Sequence, residues 1–173
     1  MSRSPDQDAR YLEAAAQHGA AMQRLASATE ANAGRRRDLL QDMHVALWRS
    51  FASFDGRCSS RTWVYRVAHN VAASHVDRER RMRSPLVTLD EIVDLPSGEN
   101  ISAEVEESHA MSWLNATIRK LGPPDRQIIT LYLEGLDAAS IAEVTGLSAG
   151  AVATRVSRMK SQLARIFQET ANV

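Results

Sequence analysis

The chain has 173 residues, room for one domain or two small ones, and its 44% apolar fraction suits a soluble protein with a packed core. Aromatic residues make up 5%, and Gly and Pro are scarce beside abundant Ala, Leu, Arg and Glu, so an all-α protein with an aliphatic core is expected. The formal net charge of zero argues against indiscriminate binding to nucleic acid, but it hides a division: net −1 over residues 1–34, +6 over 35–83, −7 over 84–110 and +2 over 111–173. Two basic modules flanking an acidic connector follow from that pattern.

The opening Met1-Ser2-Arg3-Ser4-Pro5 has no apolar run behind it and does not read as a signal peptide. No stretch approaches the roughly 18 apolar residues of a membrane span. The single Cys58 excludes an internal disulfide and fits a reducing cytoplasm, the expected location.

In chain order, a first helix is expected over Tyr11 to Thr29, with Asn32-Ala33-Gly34 as the break after it. The second spans Arg35 to Phe51; Leu40, Met43, Leu47, Phe51 and Phe54 recur at spacings of three and four and predict a buried stripe. Asp38, Gln41, Asp42 and Arg49 lie elsewhere on the wheel, and Trp48 borders the stripe. Asp55 to Ser60 is a loop by composition. The third helix runs from Arg61 to Arg83, with Val64, Val67, Ala68, Val71 and His75 as its core face. Arg66, Asn70, Ala73, Asp77, Arg80 and Arg81 gather on the other side within roughly 100 degrees. Ser84-Pro85 stops this helix. Residues 84–103, with Pro85, Pro96, Gly98 and many acids, read as a flexible linker. Glu104 to Leu121 is the next helix, striped by Met111, Leu114, Ile118 and Leu121. Gly122-Pro123-Pro124 ends it, and a helix over Asp125 to Glu134 follows.

Leu136 to Leu163 carries the most specific local signal. A short helix fits Asp137 to Val144, with Ile141 and Val144 buried. Gly146 permits the positive φ of a tight turn, and Ser148 is a good N-cap for a second helix. There Val152, Val156, Met159 and Leu163 form one apolar stripe. Gly150, Ala153, Thr154, Ser157 and Ser161 point away from it, flanked by Arg155, Arg158 and Lys160. This is helix-turn-helix spacing, whose second helix can enter a major groove while cations hold phosphates. A plain helical hairpin with a solvated basic face has the same local pattern.

Catalytic signals are absent from the sequence. The five His residues (18, 44, 69, 75 and 109) and Cys58 show no metal-ligand spacing, no Gly-rich phosphate loop occurs, and no nucleophile sits beside a base. Neither a metal, a cofactor nor an enzyme activity is expected.

Two sets of residues, in this order, resemble one family. The first is Asp38-Leu39-Leu40-Gln41-Asp42, Leu47-Trp48, Phe54-Asp55-Gly56 and Arg61-Thr62-Trp63-Val64-Tyr65-Arg66-Val67-Ala68-His69-Asn70. The second is Leu121, Pro124-Asp125-Arg126, Gly135-Leu136, Ile141-Ala142-Glu143, Gly146-Leu147-Ser148 and Val152 through Arg158. Together, from about Tyr11 to Phe167, they resemble a bacterial RNA polymerase sigma factor of the extracytoplasmic-function (ECF) group of the sigma-70 family. The resemblance implies two small helical domains, residues 9–83 (sigma domain 2) and 104–170 (sigma domain 4, with the helix-turn-helix), joined by the acidic linker 84–103. It implies that Asp38, Gln41, Asp42 and Trp48 dock on the clamp helices of core RNA polymerase. It implies that Phe54, Arg66, Asn70, Arg80 and Arg81 bind and melt the downstream promoter element, a non-template base being flipped beneath the preceding loop; an amide reads a base edge and an apolar wall receives a flipped base. Thr154, Arg155, Ser157, Arg158 and Lys160 would meet the upstream element as duplex. The linker would thread the polymerase channel that later carries RNA, and an anti-sigma protein is an expected partner.

Ala151 and Ala153 stand where the family often has Thr and Lys, which implies weak intrinsic upstream binding. Cys58, Ser59 and Ser60 make the specificity loop individual. The alternative is a helix-turn-helix regulator that is not a polymerase subunit; its sensor would have to be residues 1–83, the segment that matches the polymerase-binding half instead.

Overall fold

The computed structural model describes residues 5–82 and 103–171, and every regular element among them is helical. The helices are α1 (Pro5–Thr29), α2 (Ala33–Ser50), α3 (Ser60–Met82), α4 (Ala103–Lys120), α5 (Pro123–Leu133), α6 (Ala138–Thr145) and α7 (Ala149–Ala171), with one 3-10 turn at Phe51–Ser53. The linker expected over 84–103, with its stop at Ser84-Pro85, lies outside the described residues, except that α4 already includes Ala103. The first helix starts at Pro5 rather than Tyr11; Asp6 and Asp8 in its first turn complement the helix dipole.

The boundaries follow from local chemistry. Asn32 caps α2, its side-chain oxygen accepting from the amides of Gly34 and Arg35 at 3.0 Å each. Gly122 caps α5, and Pro123 and Pro124 occupy its first positions, where a missing N–H is harmless. The two prolines therefore open α5 as well as closing α4. Asp137 caps α6 by accepting from the Ser140 amide at 2.8 Å, and Gly146 turns the chain at φ +75°. Ser148 then accepts from the Ala151 amide at 3.2 Å. The sequence-predicted helix-turn-helix forms as α6 and α7.

Two apolar clusters hold these helices. Met22, Leu25, Leu39, Met43, Leu47, Phe51, Val64 and Ala68 pack between α1, α2 and α3. Ile118, Ile128, Ile129, Leu131, Leu136, Ile141, Val152 and Met159 fill the second, and Ala21, Ala28 and Tyr65 reach into it from the N-terminal helices. The N-terminal and C-terminal helices thus pack directly on one another, α1 against α4 and α3 against α5 and α6.

That packing corrects two expected stripes. On α2, Leu39 is fully buried, whereas Leu40 is half-buried, as is Phe54 just beyond the 3-10 turn. On α3, Val67 and Val71 are half-buried, whereas Tyr65, His69 and Ala72 join Val64, Ala68 and His75 inside. A helix covered on two sides buries more than one stripe, and α3 lies between α1–α2 and α5–α6. Met111, expected in the α4 stripe, is 43% exposed.

Polar groups also enter this core. Glu30 and His75 are both buried and meet at 3.1 Å, and Glu30 also accepts from the Asn32 amide and the Arg35 guanidinium. Burial works to raise the Glu30 carboxyl, but these hydrogen bonds outweigh it and hold the group below its ordinary value. The network joins the end of α1, the start of α2 and the middle of α3.

Candidate nucleic-acid and polymerase interfaces

On α2, Asp38, Gln41 and Asp42 are exposed, and Val45 lies on the same face at 40% exposure, an apolar member that the sequence pattern does not mark. Asp42 faces Arg78 of α3 at 4.0 Å, with both side chains more than half exposed, a loose pair of small energetic weight. Trp48 is half-buried and pinned: its indole N–H donates to Asp8 at 2.7 Å, and its carbonyl accepts from Gln7 at 2.8 Å. The first turn of α1, ahead of the expected start at Tyr11, holds it there.

Phe54 forms an aromatic group with Phe51 and Trp63, ring centroids 5.7 and 5.2 Å away, and Arg10 lies over its ring at 5.9 Å. Trp63 donates to the Ser50 hydroxyl at 2.9 Å and serves as packing. Beside it, Asp55, Arg57, Cys58, Ser59, Trp63 and Arg66 line an open depression of about 880 Å³ beneath the loop. Asn70 is exposed and lines a different groove, with Asp42, Val71, Ser74, His75 and Arg78. The loop depression and Asn70, expected to cooperate, are therefore separate concavities, and Asn70 shares its groove with Asp42. Arg80 and Arg81 are exposed in the last turn of α3.

The C-terminal helices sit across this face. Glu134 binds Arg24 through both carboxylate oxygens at 2.6 and 2.7 Å, and its carbonyl accepts from Arg61 at 3.0 Å. Arg66 donates to the Glu143 carbonyl at 2.7 Å, and the Thr62 hydroxyl reaches the Glu143 carboxylate at 3.4 Å. Glu143 itself lines the loop depression. In this closed arrangement Arg66 is engaged by protein rather than free for a phosphate.

On α7, Thr154, Ser157, Arg158 and Lys160 are exposed and Arg155 is half-buried. Arg155 and Arg158 grip the two oxygens of Asp125 at 2.6 and 3.0 Å, and the Lys160 ammonium lies over the Tyr132 ring at 5.6 Å. The shared carboxylate sets the two guanidiniums side by side. Thr154 donates to the Gly150 carbonyl at 3.0 Å. No group of three or more metal-ligating side chains occurs among the described residues, and no described helix is long and apolar enough to cross a membrane.

The fold and these faces define a helical protein in two parts, a cationic three-helix unit and a helix-turn-helix unit. The Sigma-70 region 2 model matches residues 15–82, and the Sigma-70, region 4 model matches 111–163. The chain is 30% identical over 141 residues to an RNA polymerase sigma factor, NccH, of Alcaligenes xylosoxydans xylosoxydans, covering 77% of this chain and 73% of that protein. It is 28% identical over 144 residues to an ECF RNA polymerase sigma-E factor of Haemophilus influenzae, covering 76% and 74%. Among solved structures, CnrH in complex with the cytosolic domain of CnrY shares the fold, with a TM-score of 0.66 at 23% identity over 92% of this chain and 88% of that one. The chain belongs to the sigma-70 family of RNA polymerase sigma factors, in the extracytoplasmic-function group. As such it directs promoter-specific transcription.

Proposed function

We propose that residues 9–83 dock on core polymerase and open the downstream promoter element, that residues 104–170 read the upstream element as duplex, and that 84–103 connect them within the polymerase. One observation supports giving residues 9–83 both docking and opening: Asp42 and Asn70 line one groove. A docking contact on α2 would then position the base-reading amide of α3 at the point where the polymerase presents the promoter. Charge reversal tests it. Asp42→Arg leaves Met43 and Leu47 untouched, so the fold should lose no more than about 0.5 kcal/mol. Affinity for core polymerase should fall by at least about tenfold, since like-charge juxtaposition at an interface costs several kcal/mol. Unchanged core binding by the folded variant removes Asp42 from the interface.

The closed arrangement supports a second element of the reading. Glu134 and Glu143 lie against Arg24, Arg61, Thr62 and Arg66, so the C-terminal unit must move off the α3 face before a melted strand reaches it. The free chain is therefore silent, and polymerase stabilises the open form. Glu134→Arg sets a cation against Arg24 and Arg61 and should separate the two units, raising the radius of gyration measured by small-angle scattering. An unchanged radius contradicts the latch. CnrH is seen with the cytosolic domain of CnrY; by similarity, this chain is proposed to have an anti-sigma partner and to act in the cytoplasm, without catalysis of its own.

A further inference from the structure

A cavity of about 220 Å³ lies in the seam between the two units. Leu25, His69, Ala72 and Val76 line it from α1 and α3, and Pro123 and Arg126 from α5. Most of this wall is hydrocarbon, yet it also carries polar groups, among them the His69 imidazole, the Arg126 guanidinium and the Gln127 amide. His69 is 4% exposed, and its imidazole makes no hydrogen bond there. The Nε of Arg126 is buried without an acceptor, although the same guanidinium donates to the carbonyls of Arg119 and Leu121. The hydroxyls on the wall are satisfied by contrast: Thr29 donates to Leu25 and Thr130 to Arg126. Buried donors without acceptors are rare because desolvation goes uncompensated.

Charge points the same way. Burial, and then the neighbouring cations Arg119 and Arg80, hold the Arg126 guanidinium below its ordinary value. Glu30 and Glu79 line the adjoining cleft, but Glu30 is committed to Arg35 and His75. Arg126 forms no ion pair among the described residues, and the cations of that cleft outnumber Glu30 and Glu79 among them, so an anion in the seam would offset positive charge there. The size is informative too. An apolar cavity of about 150 Å³ stays dry and takes benzene, so this one accommodates a small ring or branched chain together with a carboxylate.

We propose that the seam cavity binds a small apolar monocarboxylate, its carboxylate set against the Arg126 guanidinium and the His69 imidazole and its hydrocarbon body packed on Leu25, Val76 and Pro123. Because both units line the cavity, occupancy favours the closed arrangement over the open one. The proposal rests on the packed seam and not on any promoter-reading residue.

The test titrates 4-fluorobenzoate with the full chain and follows the fluorine resonance. Saturable binding is expected, with a dissociation constant on the order of a millimolar or tighter for a ligand of this size. 4-Fluorobenzyl alcohol, which lacks the charge, should bind at least about tenfold more weakly. Val76→Phe fills the cavity from α3 and should abolish binding; Arg126→Gln should weaken it by at least about tenfold. Arg126 also holds the end of α4, so thermal melts establish that each variant is folded, and Val76→Phe decides the matter if Arg126→Gln is not. No saturation by about 10 mM, equal binding of the alcohol, or undiminished binding by folded Val76→Phe overturns the proposal. Polymerase-dependent transcription by the unliganded chain reports on sigma activity alone, so the two readings fail separately.

Discussion

Acidification from neutral pH to about pH 4.5 should cost the fold about 3 kcal/mol through His69 alone. The imidazole is buried and makes no hydrogen bond among the described residues, and desolvation lowers its pKa to about 3. The folded pKa is depressed below the unfolded value of 6.5, so the unfolded chain binds the proton first. The stabilisation is complete above pH about 6.5 and is lost as pH falls, at about 1.4 kcal/mol per unit, until the folded group titrates near pH 3. His18 and His44 shift in the same direction, chiefly through burial, but are more accessible and add less. Glu30, also held below its ordinary value, adds a loss of the same sign at lower pH. Against a total stability of about 5–15 kcal/mol, this removes between about one fifth and three fifths. Urea midpoints at pH 7.5, 6 and 4.5, read by circular dichroism, should fall in that order, and His69→Leu should flatten the trend. Equal midpoints for the native chain at pH 7.5 and 4.5 contradict the account.

The second large effect separates the two faces proposed to read the promoter. Asn70→Ala removes an exposed amide and no charge. Promoter opening and downstream base preference should fall by about 10- to 100-fold, the discrimination of one good base pairing, while the salt dependence of binding stays nearly unchanged. Arg155→Ala removes a cation that lies with Arg158 on Asp125. It should weaken holoenzyme binding across sequences and flatten the salt slope by about one unit for each phosphate that the side chain neutralises. Permanganate reactivity of unpaired thymines reports opening, and a salt titration reports the phosphates. Normal opening with unaltered preference in Asn70→Ala takes away its base-reading role. An intact slope in Arg155→Ala makes that cation a structural partner of Asp125 only.

Features set by neighbours in sequence are legible without the structure. Gly146, Ser148 and the Val152–Met159 spacing are enough to place the helix-turn-helix, because caps and turns depend on residues within one helical turn. The α2 and α3 helices can be found for the same reason. Their buried faces are harder to read. Tyr65, His69 and Ala72 do not belong to the expected stripe because a second layer, α5 and α6, covers α3 from the other side, and the periodicity of one helix does not announce that layer. The latch is invisible in sequence for a related reason: Arg24 and Glu134 are 110 residues apart, and Arg66 and Glu143 are 77 apart. By spacing alone Arg66 is a free cation on a solvated face. The pinning of Trp48 by Asp8 is within closer reach, since Pro5, Asp6 and Asp8 form a good helix start that apolar spacing does not reveal.

Run-off transcription with purified core polymerase on genomic fragments, followed by sequencing of the RNA 5′ ends, tests the central claim most directly. Core polymerase with the full chain should start at a defined set of sites sharing an upstream and a downstream element, and neither component alone should do so. The free chain should bind the same fragments weakly and open none. Tight, sequence-specific binding by the free chain, with no polymerase-dependent start sites, would contradict the account and leave a helix-turn-helix regulator in its place.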